Sequence, residues 1–199
     1  MPRLKSLALA APLAVLLMLP ACGGNAPAGP PPLEGARIGG DFTLTSEDGR
    51  QVDWRDFDGK YRTIYFGYAF CPDVCPTDNQ RLGAGLKLFE RAHPALGARL
   101  QPLFVSVDPA RDTPAVLKEF TANFHPRLIG LTGDEKALQE VAGKFAASFS
   151  RGEDSPGGGY LMNHTNITLL FGPRGEPLAT LPTDQGPEAV AAELEKWVR

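Results

Sequence analysis

The sequence predicts an α/β fold, in which a central mixed sheet is flanked by helices and preceded by an N-terminal β-hairpin. Two observations predict this class. Apolar runs of strand length alternate with segments of helical periodicity, and the chain ends in a strand–turn–strand–helix unit that adds an antiparallel pair of strands. The 199 residues, of which 43% are apolar, are enough for one domain with a sizeable core.

The first half of the predicted domain contains a hairpin, a core strand and a helix. Alternating polar and apolar residues around a central turn predict the hairpin at 41–54. Residues 61–68 are rich in β-branched and aromatic side chains, which favours a core strand. A helix is expected from 76 to 92, although Gly83 and Gly85 lower its helix propensity.

The second half continues the alternation of strands and helices. Thr113 and Pro114 are typical of a helix N-cap and first helical turn. The predicted elements are, in chain order, a strand at 103–107, a helix at 113–124, a short strand at 128–131, a helix at 132–145, a flexible loop at 155–159, two strands at 165–171 and 176–181 around a turn, and a last helix at 186–197.

Residues 1–21 are predicted to be a signal peptide. Arg3 and Lys5 give a basic start, an apolar stretch follows, and small residues surround Cys22. The apolar stretch is shorter than the roughly 20 residues of a membrane span. The segment resembles a bacterial lipoprotein signal, whose cysteine becomes the lipidated first residue of the mature chain. An uncleaved anchor, or an ordinary signal with a spare thiol, stays open as an alternative.

Residues 22–34 are predicted to form a Pro/Gly-rich tether, because a segment with so few large apolar side chains cannot build a core. Residues 35–199 then form the globular domain. On this interpretation the mature chain is a lipid-anchored membrane protein of the bacterial cell envelope that faces the periplasm or another extracytoplasmic space.

Charge and cysteine content exclude two classes of protein. The 20 basic and 23 acidic residues argue against a nucleic-acid partner bound through bulk positive charge. Three cysteines are too few for a miniprotein held together by disulfides. If Cys22 serves the anchor, one pair of cysteines is left.

That pair, Cys71 and Cys75, follows the strand predicted at 61–68 and lies at the start of a helix. A helix N-terminus lowers cysteine pKa values, and both redox chemistry and soft-metal binding require thiolates. From the spacing alone, the pair is a structural disulfide, a redox couple or half of a metal site. A strand leading into two cysteines at a helix start, with this C-terminal unit, is typical of the thioredoxin-like fold.

His164 is the histidine best placed to complete such a site. It lies between a Gly-rich loop and a predicted strand, where functional side chains are favoured, and a hydrogen bond at the strand end is the alternative role. His93 and His125 each precede a proline and are predicted to be solvated turn residues. Asp73 and Asp108 are predicted to be turn or cap residues, with tuning of the site or contact with a partner as the alternative.

Four ordered blocks resemble the SCO/SenC family of copper chaperones. They are FGYAFCPDVCPT at 66–77, VSVDPARDTP at 105–114, IGLTG at 129–133 and YLMNHT at 160–165. The resemblance extends from residue 38 to the C-terminus. It departs at Phe70, because family members usually have a small or hydroxyl residue just before the first cysteine.

The resemblance implies a domain that binds a copper ion, as Cu(I) or Cu(II), through Cys71, Cys75 and His164. It also implies delivery of copper to the dinuclear copper centre of cytochrome c oxidase subunit II, with another periplasmic copper chaperone as a further partner. Two other functions stay open. One is a thiol–disulfide oxidoreductase that reduces the cysteines of that target site, with Cys71 and Cys75 as the catalytic pair. The other is a structural domain with an inert disulfide and a lipid anchor.

Overall fold

A seven-stranded mixed sheet forms the centre of the domain in a computed structural model that describes residues 29–154 and 158–199. Its strands are β1 (Thr43–Ser46), β2 (Gln51–Asp53), β3 (Tyr61–Gly67), β4 (Leu100–Ser106), β5 (Ile129–Thr132), β8 (Thr168–Phe171) and β9 (Pro177–Leu181). A separate two-stranded sheet consists of β6 (Phe149–Asp154) and β7 (Tyr160–His164). The helices are α1 (Val74–Ala92), α2 (Pro94–Gly97), α3 (Pro114–Ala122), α4 (Glu135–Lys144) and α5 (Pro187–Trp197), and short 3₁₀ helices occupy Trp54–Phe57 and Thr183–Gln185.

The strand order β2-β1-β5-β4-β3-β8-β9 places the parallel strands β3, β4 and β5 in the middle of the sheet. Every residue of β3 and β4 is buried, as expected for central strands that are covered on both faces. β3 and β4 end side by side, because Gly67 pairs with Ser106. β8 runs antiparallel to β3 and begins near the same edge. The segments that follow β3 and β4 and the segment that precedes β8 therefore meet there.

The predicted fold class is confirmed. The hairpin forms as β1 and β2, and α3, α4 and α5 lie within the predicted helical segments. The sequence does not predict β6 and β7. Most of their residues are exposed or half-buried, so these strands lack the apolar alternation by which a strand is recognised.

The predicted signal peptide and the tether up to residue 28 lie outside the described residues, as do residues 155–157 of the predicted loop. The domain boundaries therefore stay predictions. At the start of the described chain, the N–H group of Leu33 donates to the carbonyl of Leu178, 3.0 Å away, which joins this segment to β9. Among the helices of 29–154 and 158–199, none combines the length and the apolar character that crossing a membrane requires.

The two glycines of α1 mark close helix packing rather than a weak helix. A methyl group on Gly85 would lie 2.6 Å from the Cβ and Cγ1 atoms of Val190, where α1 packs against α5. A methyl group on Gly83 would lie 2.5 Å from the carbonyl oxygen of Phe124. The loss of helix propensity at these positions is offset by a closer approach of the neighbouring backbone and side chains.

We expect Gly85→Ala to lower the free energy of unfolding by about 1–3 kcal/mol, because the added methyl group overpacks the contact between α1 and α5. Gly143, in α4, is the matched control, because nothing lies within 4 Å of the position of its added methyl group. Gly143→Ala is expected to raise the free energy of unfolding by about 0.5–1 kcal/mol. Denaturant unfolding of the three proteins measures both changes. Equal stabilisation by the two substitutions would contradict the packing explanation.

Candidate metal centre

The candidate site lies where β3 passes into α1. The absence of a side chain at Gly67, the last residue of β3, makes room for the sulfur of Cys75, since a methyl group there would lie 3.0 Å from Cys75 Sγ. Cys75 is the second residue of α1 and is fully buried, whereas Cys71, in the loop before the helix, is 9% exposed. Both thiols are free. The sequence therefore holds the two sulfurs at the helix N-terminus at different depths.

His164 completes the group from a distant part of the chain. It is the last residue of β7, and its Nε2 atom lies 3.3 Å from Cys75 Sγ. The ligand atoms of Cys71, Cys75 and His164 all lie within 4.8 Å of one another. The structure thus brings together all three of the residues that the sequence predicts to form the site.

The orientation of the His164 ring is set by its backbone neighbour. Nδ1 lies 3.2 Å from the carbonyl oxygen of Thr165, and because a carbonyl can only accept, Nδ1 is the donor. The lone pair of a neutral imidazole is then on Nε2, which faces the sulfurs. The rings of Tyr65 and Tyr68 stand edge-on to the imidazole, with centroids 6.2 and 5.8 Å away. The imidazole is therefore prepared to act as a ligand.

The two thiols have opposite pKa shifts. The hydrogen bond from Cys75 lowers the pKa of Cys71 to about 3; burial works against this shift, and His164 supports it. The N–H group of Cys75 also donates to Cys71 Sγ, 3.4 Å away, as the free amides of a helix N-terminus allow. The same pairing, with burial, raises the pKa of Cys75. At neutral pH the pair therefore consists of a Cys71 thiolate and a Cys75 thiol.

The pKa of His164 responds to the same thiolate. Burial of the ring works to lower this pKa, but the hydrogen bond and the charge of Cys71, together with the Thr165 carbonyl, raise it overall. The negative charge on Cys71 thus favours the protonated forms of both Cys75 and His164.

The loop that carries Cys71 is held by a buried carboxylate. Asp112 is 1% exposed, and each of its carboxylate oxygens lies 3.2 Å from the N–H group of Ala69, two residues before Cys71. The hydroxyl of Ser106 donates to the same carboxylate at 2.6 Å. Burial raises the pKa of Asp112 to about 6, although these two hydrogen bonds oppose the shift.

The side chains of the other candidate residues that the structure describes do not belong to the group of three ligand atoms. His93 is the C-cap residue of α1, and its Nε2 atom lies 3.4 Å from a carboxylate oxygen of Glu195. The prediction that His125 is solvated was wrong: it is 2% exposed, and its Nε2 atom lies 3.1 Å from Glu90. Asp73 is exposed before α1 and makes no side-chain cap. Cys22 is outside the described residues.

Sequence reasoning did not assign a role to Tyr65, Tyr68 or Asp112. The block at 105–114 contains Asp112, but its contact with Ala69 depends on β3 and β4 ending together. Asp108 begins the turn after β4, as predicted, because its carbonyl accepts hydrogen bonds from the N–H groups of Arg111 and Asp112. Its carboxylate is buried and accepts a hydrogen bond from the hydroxyl of Tyr160, 2.8 Å away.

Two sulfurs and one imidazole nitrogen form a soft donor set that suits copper or another thiophilic ion. Structural zinc sites usually have four protein ligands. Within the described residues, the search for further histidine, cysteine or carboxylate groups at ligand distance gives this group of three. The arrangement can hold a metal ion with an open coordination position, or can exchange a disulfide.

Comparison with known proteins agrees with this site. The family model described as SCO1/SenC matches residues 30–199. Protein SenC of Rhodobacter capsulatus is 42% identical over 158 residues, which cover 78% of this chain and 68% of that protein. Mitochondrial protein SCO2 of Saccharomyces cerevisiae is 36% identical over 167 residues; these cover 81% of this chain and 54% of the relative, so the chain spans about half of that protein's length.

Solved structures of proteins from this family have a similar fold. The structure of Bradyrhizobium japonicum ScoI with copper bound has a TM-score of 0.71 and 33% identity, over 80% of this chain and 99% of that chain. The thioredoxin-like fold that the sequence predicts is therefore confirmed. Because the family match spans nearly the whole described domain and is supported by these relatives, the chain belongs to the SCO1/SenC family.

Proposed function

We propose that this chain is a copper metallochaperone that binds one copper ion through Cys71, Cys75 and His164 and delivers it to the dinuclear copper centre of cytochrome c oxidase subunit II. The observation that carries the proposal is the convergence of the three ligand atoms within 4.8 Å. They come from two segments about 90 residues apart in the chain, so their convergence is a result of folding and not of local sequence.

The donor set and its protonation suit copper. Thiolate and imidazole ligands select Cu(I), which accepts three-coordinate binding, and Cu(II) can add a fourth ligand from water. Cys71 is already a thiolate at neutral pH, so binding has to displace only the proton of Cys75. The copper-bound structure of Bradyrhizobium japonicum ScoI supports copper as the ion bound by this family member.

The position of the site supports transfer. Cys75 is fully buried, Cys71 has a small exposed fraction, and His164 is half-buried. An ion bound among them would therefore be reached from the side of Cys71 and His164. A thiolate or imidazole of a partner protein could replace these ligands one at a time, because the soft site is coordinatively incomplete.

The proposed place of action is the bacterial cell envelope. The basic start, the apolar stretch and Cys22 support a lipid anchor, with the domain facing the periplasm. Another periplasmic copper chaperone would supply the ion. In such an oxidising compartment, Cys71 and Cys75 have to be kept reduced in order to bind it.

The unequal protonation of the thiols favours a second candidate function, that of a thiol–disulfide oxidoreductase acting on the cysteines of the same target site. Disulfide exchange needs a thiolate that can attack, and Cys71 meets this requirement at neutral pH. Its attack on a target disulfide would form a mixed disulfide, which Cys75 would resolve after losing its proton. The released target cysteines would be reduced, and Cys71 and Cys75 would be oxidised to a disulfide.

Copper titration of the reduced protein tests the first function. We expect one ion per chain, and we expect His164→Ala to weaken binding by about a hundredfold or more, or about 2.7 kcal/mol, because the nitrogen ligand is lost. Cys71→Ser should lower the affinity at least as much and weaken the sulfur-to-copper charge-transfer absorption. Competition with a chelator of known copper affinity measures these changes.

His93→Ala is the matched control, since His93 lies beside Glu195 and outside the ligand group. It should leave copper affinity unchanged. Wild-type affinity in His164→Ala would refute the assigned ligand role of His164. If that variant loses copper but reduces a disulfide substrate at the wild-type rate, the two candidate functions are separable.

Thiol alkylation tests the protonation of the pair. Because the pKa of Cys71 is lowered to about 3, its rate of reaction with iodoacetamide should be nearly constant from pH 5 to pH 8. Cys75→Ala removes the main hydrogen bond to Cys71, so the pKa should rise and the rate should increase with pH. Peptide mass analysis identifies the modified cysteine.

The unfolded chain serves as the reference, since its cysteines have pKa values of about 8.5 and their rates rise about tenfold per pH unit below that value. The same steep rise for Cys71 in the native protein would contradict the assigned thiolate.

A further inference from the structure

The turn that follows β4 contacts both of the segments that carry the candidate ligands. On one side, Asp112 accepts a hydrogen bond from the N–H group of Ala69 and so holds the loop that leads to Cys71. On the other side, Asp108 contacts the first residue of β7, the strand that ends at His164. Asp108 and Asp112 are separated by one helical-type turn, and the N–H group of Asp112 donates to the carbonyl of Asp108 at 2.9 Å.

The contact with β7 is made by Tyr160. Its hydroxyl donates to Oδ1 of Asp108 at 2.8 Å, while Oδ2 of Asp108 accepts from Nε of Arg111. The Arg111 guanidinium also lies over the Tyr160 ring, 3.7 Å from its centroid, and that of Arg151 lies 4.2 Å from it. Asp108 is 2% exposed and Tyr160 is half-buried, so the acceptor end of this hydrogen bond is sheltered from water.

Tyr160 and His164 lie on the same face of β7. Side chains alternate along a strand, and in β7 the half-buried residues Tyr160, Met162 and His164 alternate with the exposed residues Leu161 and Asn163. Met162 packs against the main core. A contact that fixes Tyr160 therefore also limits the rotation and sliding of the strand that presents His164.

We propose that Tyr160 is a positioning residue for His164, with Asp108 and Arg111 as its anchor, so that the single turn at 108–112 sets the distance between the cysteine loop and the histidine strand. The proposal rests on the proposed function for its effect on copper. The hold on β7 is a property of the metal-free chain and can be measured separately.

Tyr160→Phe is the appropriate test, because it removes the hydroxyl donor and keeps the ring near both guanidinium groups. β7 belongs to the separate sheet of β6 and β7, so loosening it leaves the pairing of the seven-stranded sheet in place. His164 should then be within reach of the sulfurs for a smaller fraction of the time. We expect a three- to tenfold loss of copper affinity, which is smaller than the loss in His164→Ala.

Tyr61→Phe is the matched control. The hydroxyl of Tyr61 also donates one hydrogen bond, to the carbonyl of Arg199 at 3.0 Å, but Tyr61 begins β3 and lies at the end of that strand away from the cysteines. The measurements are amide hydrogen exchange of residues 160–164 without copper, chelator competition, and the imidazole nitrogen coupling in the electron paramagnetic resonance spectrum of the Cu(II) form.

Tyr160→Phe should speed amide exchange in β7, weaken the nitrogen coupling and preserve the sulfur-to-copper absorption. Tyr61→Phe should change none of these. In a His164→Ala background, Tyr160→Phe should cause no further loss of copper affinity, since both changes act through the same ligand.

Three results would overturn the positioning role: wild-type exchange in β7 of Tyr160→Phe, wild-type copper affinity of this variant, or an equal loss of affinity with and without His164. Failure of the proposed function has a different signature. In that case the wild-type protein does not bind one copper ion per chain, or His164→Ala binds copper with wild-type affinity. Tyr160→Phe would still speed amide exchange in β7 of the metal-free chain.

Discussion

The structure depends on the contact between the end of β3 and the first turn of α1. Gly67 leaves space beside the strand, and the sulfur of Cys75 occupies it, so that this cysteine is fixed by a buried strand and a helix at once. Cys71 is then confined to the helix N-terminus, where a backbone N–H group is free to contact its sulfur. The parallel pairing of β3 with β4 and the antiparallel pairing with β8 bring the remaining parts of the site to the same edge of the sheet.

Burial and charge together explain why the two cysteines differ. Two thiolates at this distance would repel each other in a poorly solvated place, so one proton stays on the deeper sulfur and donates to the other. The imidazole faces this shared charge with the nitrogen that is not held by Thr165. Cys75 loses that proton when the two sulfurs bind a soft cation, and also when they are oxidised to a disulfide. The same electrostatic arrangement therefore supports both candidate functions.

Much of the fold follows from local sequence, because β3, β4 and the four longer helices have clear apolar patterns and Thr113 caps α3 as expected. The cysteine pair and His164 are also apparent from the sequence, through the motifs around them. β6 and β7 are not, since few of their side chains are buried. The roles of Asp108, Asp112 and Tyr160 depend on contacts across 40 or more residues, for which spacing along the chain gives no signal. Gly85 lowers the helix propensity of α1, and only the structure shows the reason for a glycine there: Val190 of α5 packs too close to leave space for a side chain.

The hydrogen bond between Leu33 and Leu178 locates the N-terminal segment of the described chain relative to the site. Leu178 lies in the part of β9 that is aligned, through β8, with the first residues of β3, whereas the cysteines follow the last residue of β3. The five residue-to-residue steps from Arg62 to Gly67 separate these levels by about 17 Å at the usual rise of a strand. The N-terminal segment thus joins the domain at the end of the sheet opposite to the two sulfurs. With the lipid anchor proposed above, Cys71 and His164 would therefore lie on the side of the domain that is turned away from the membrane.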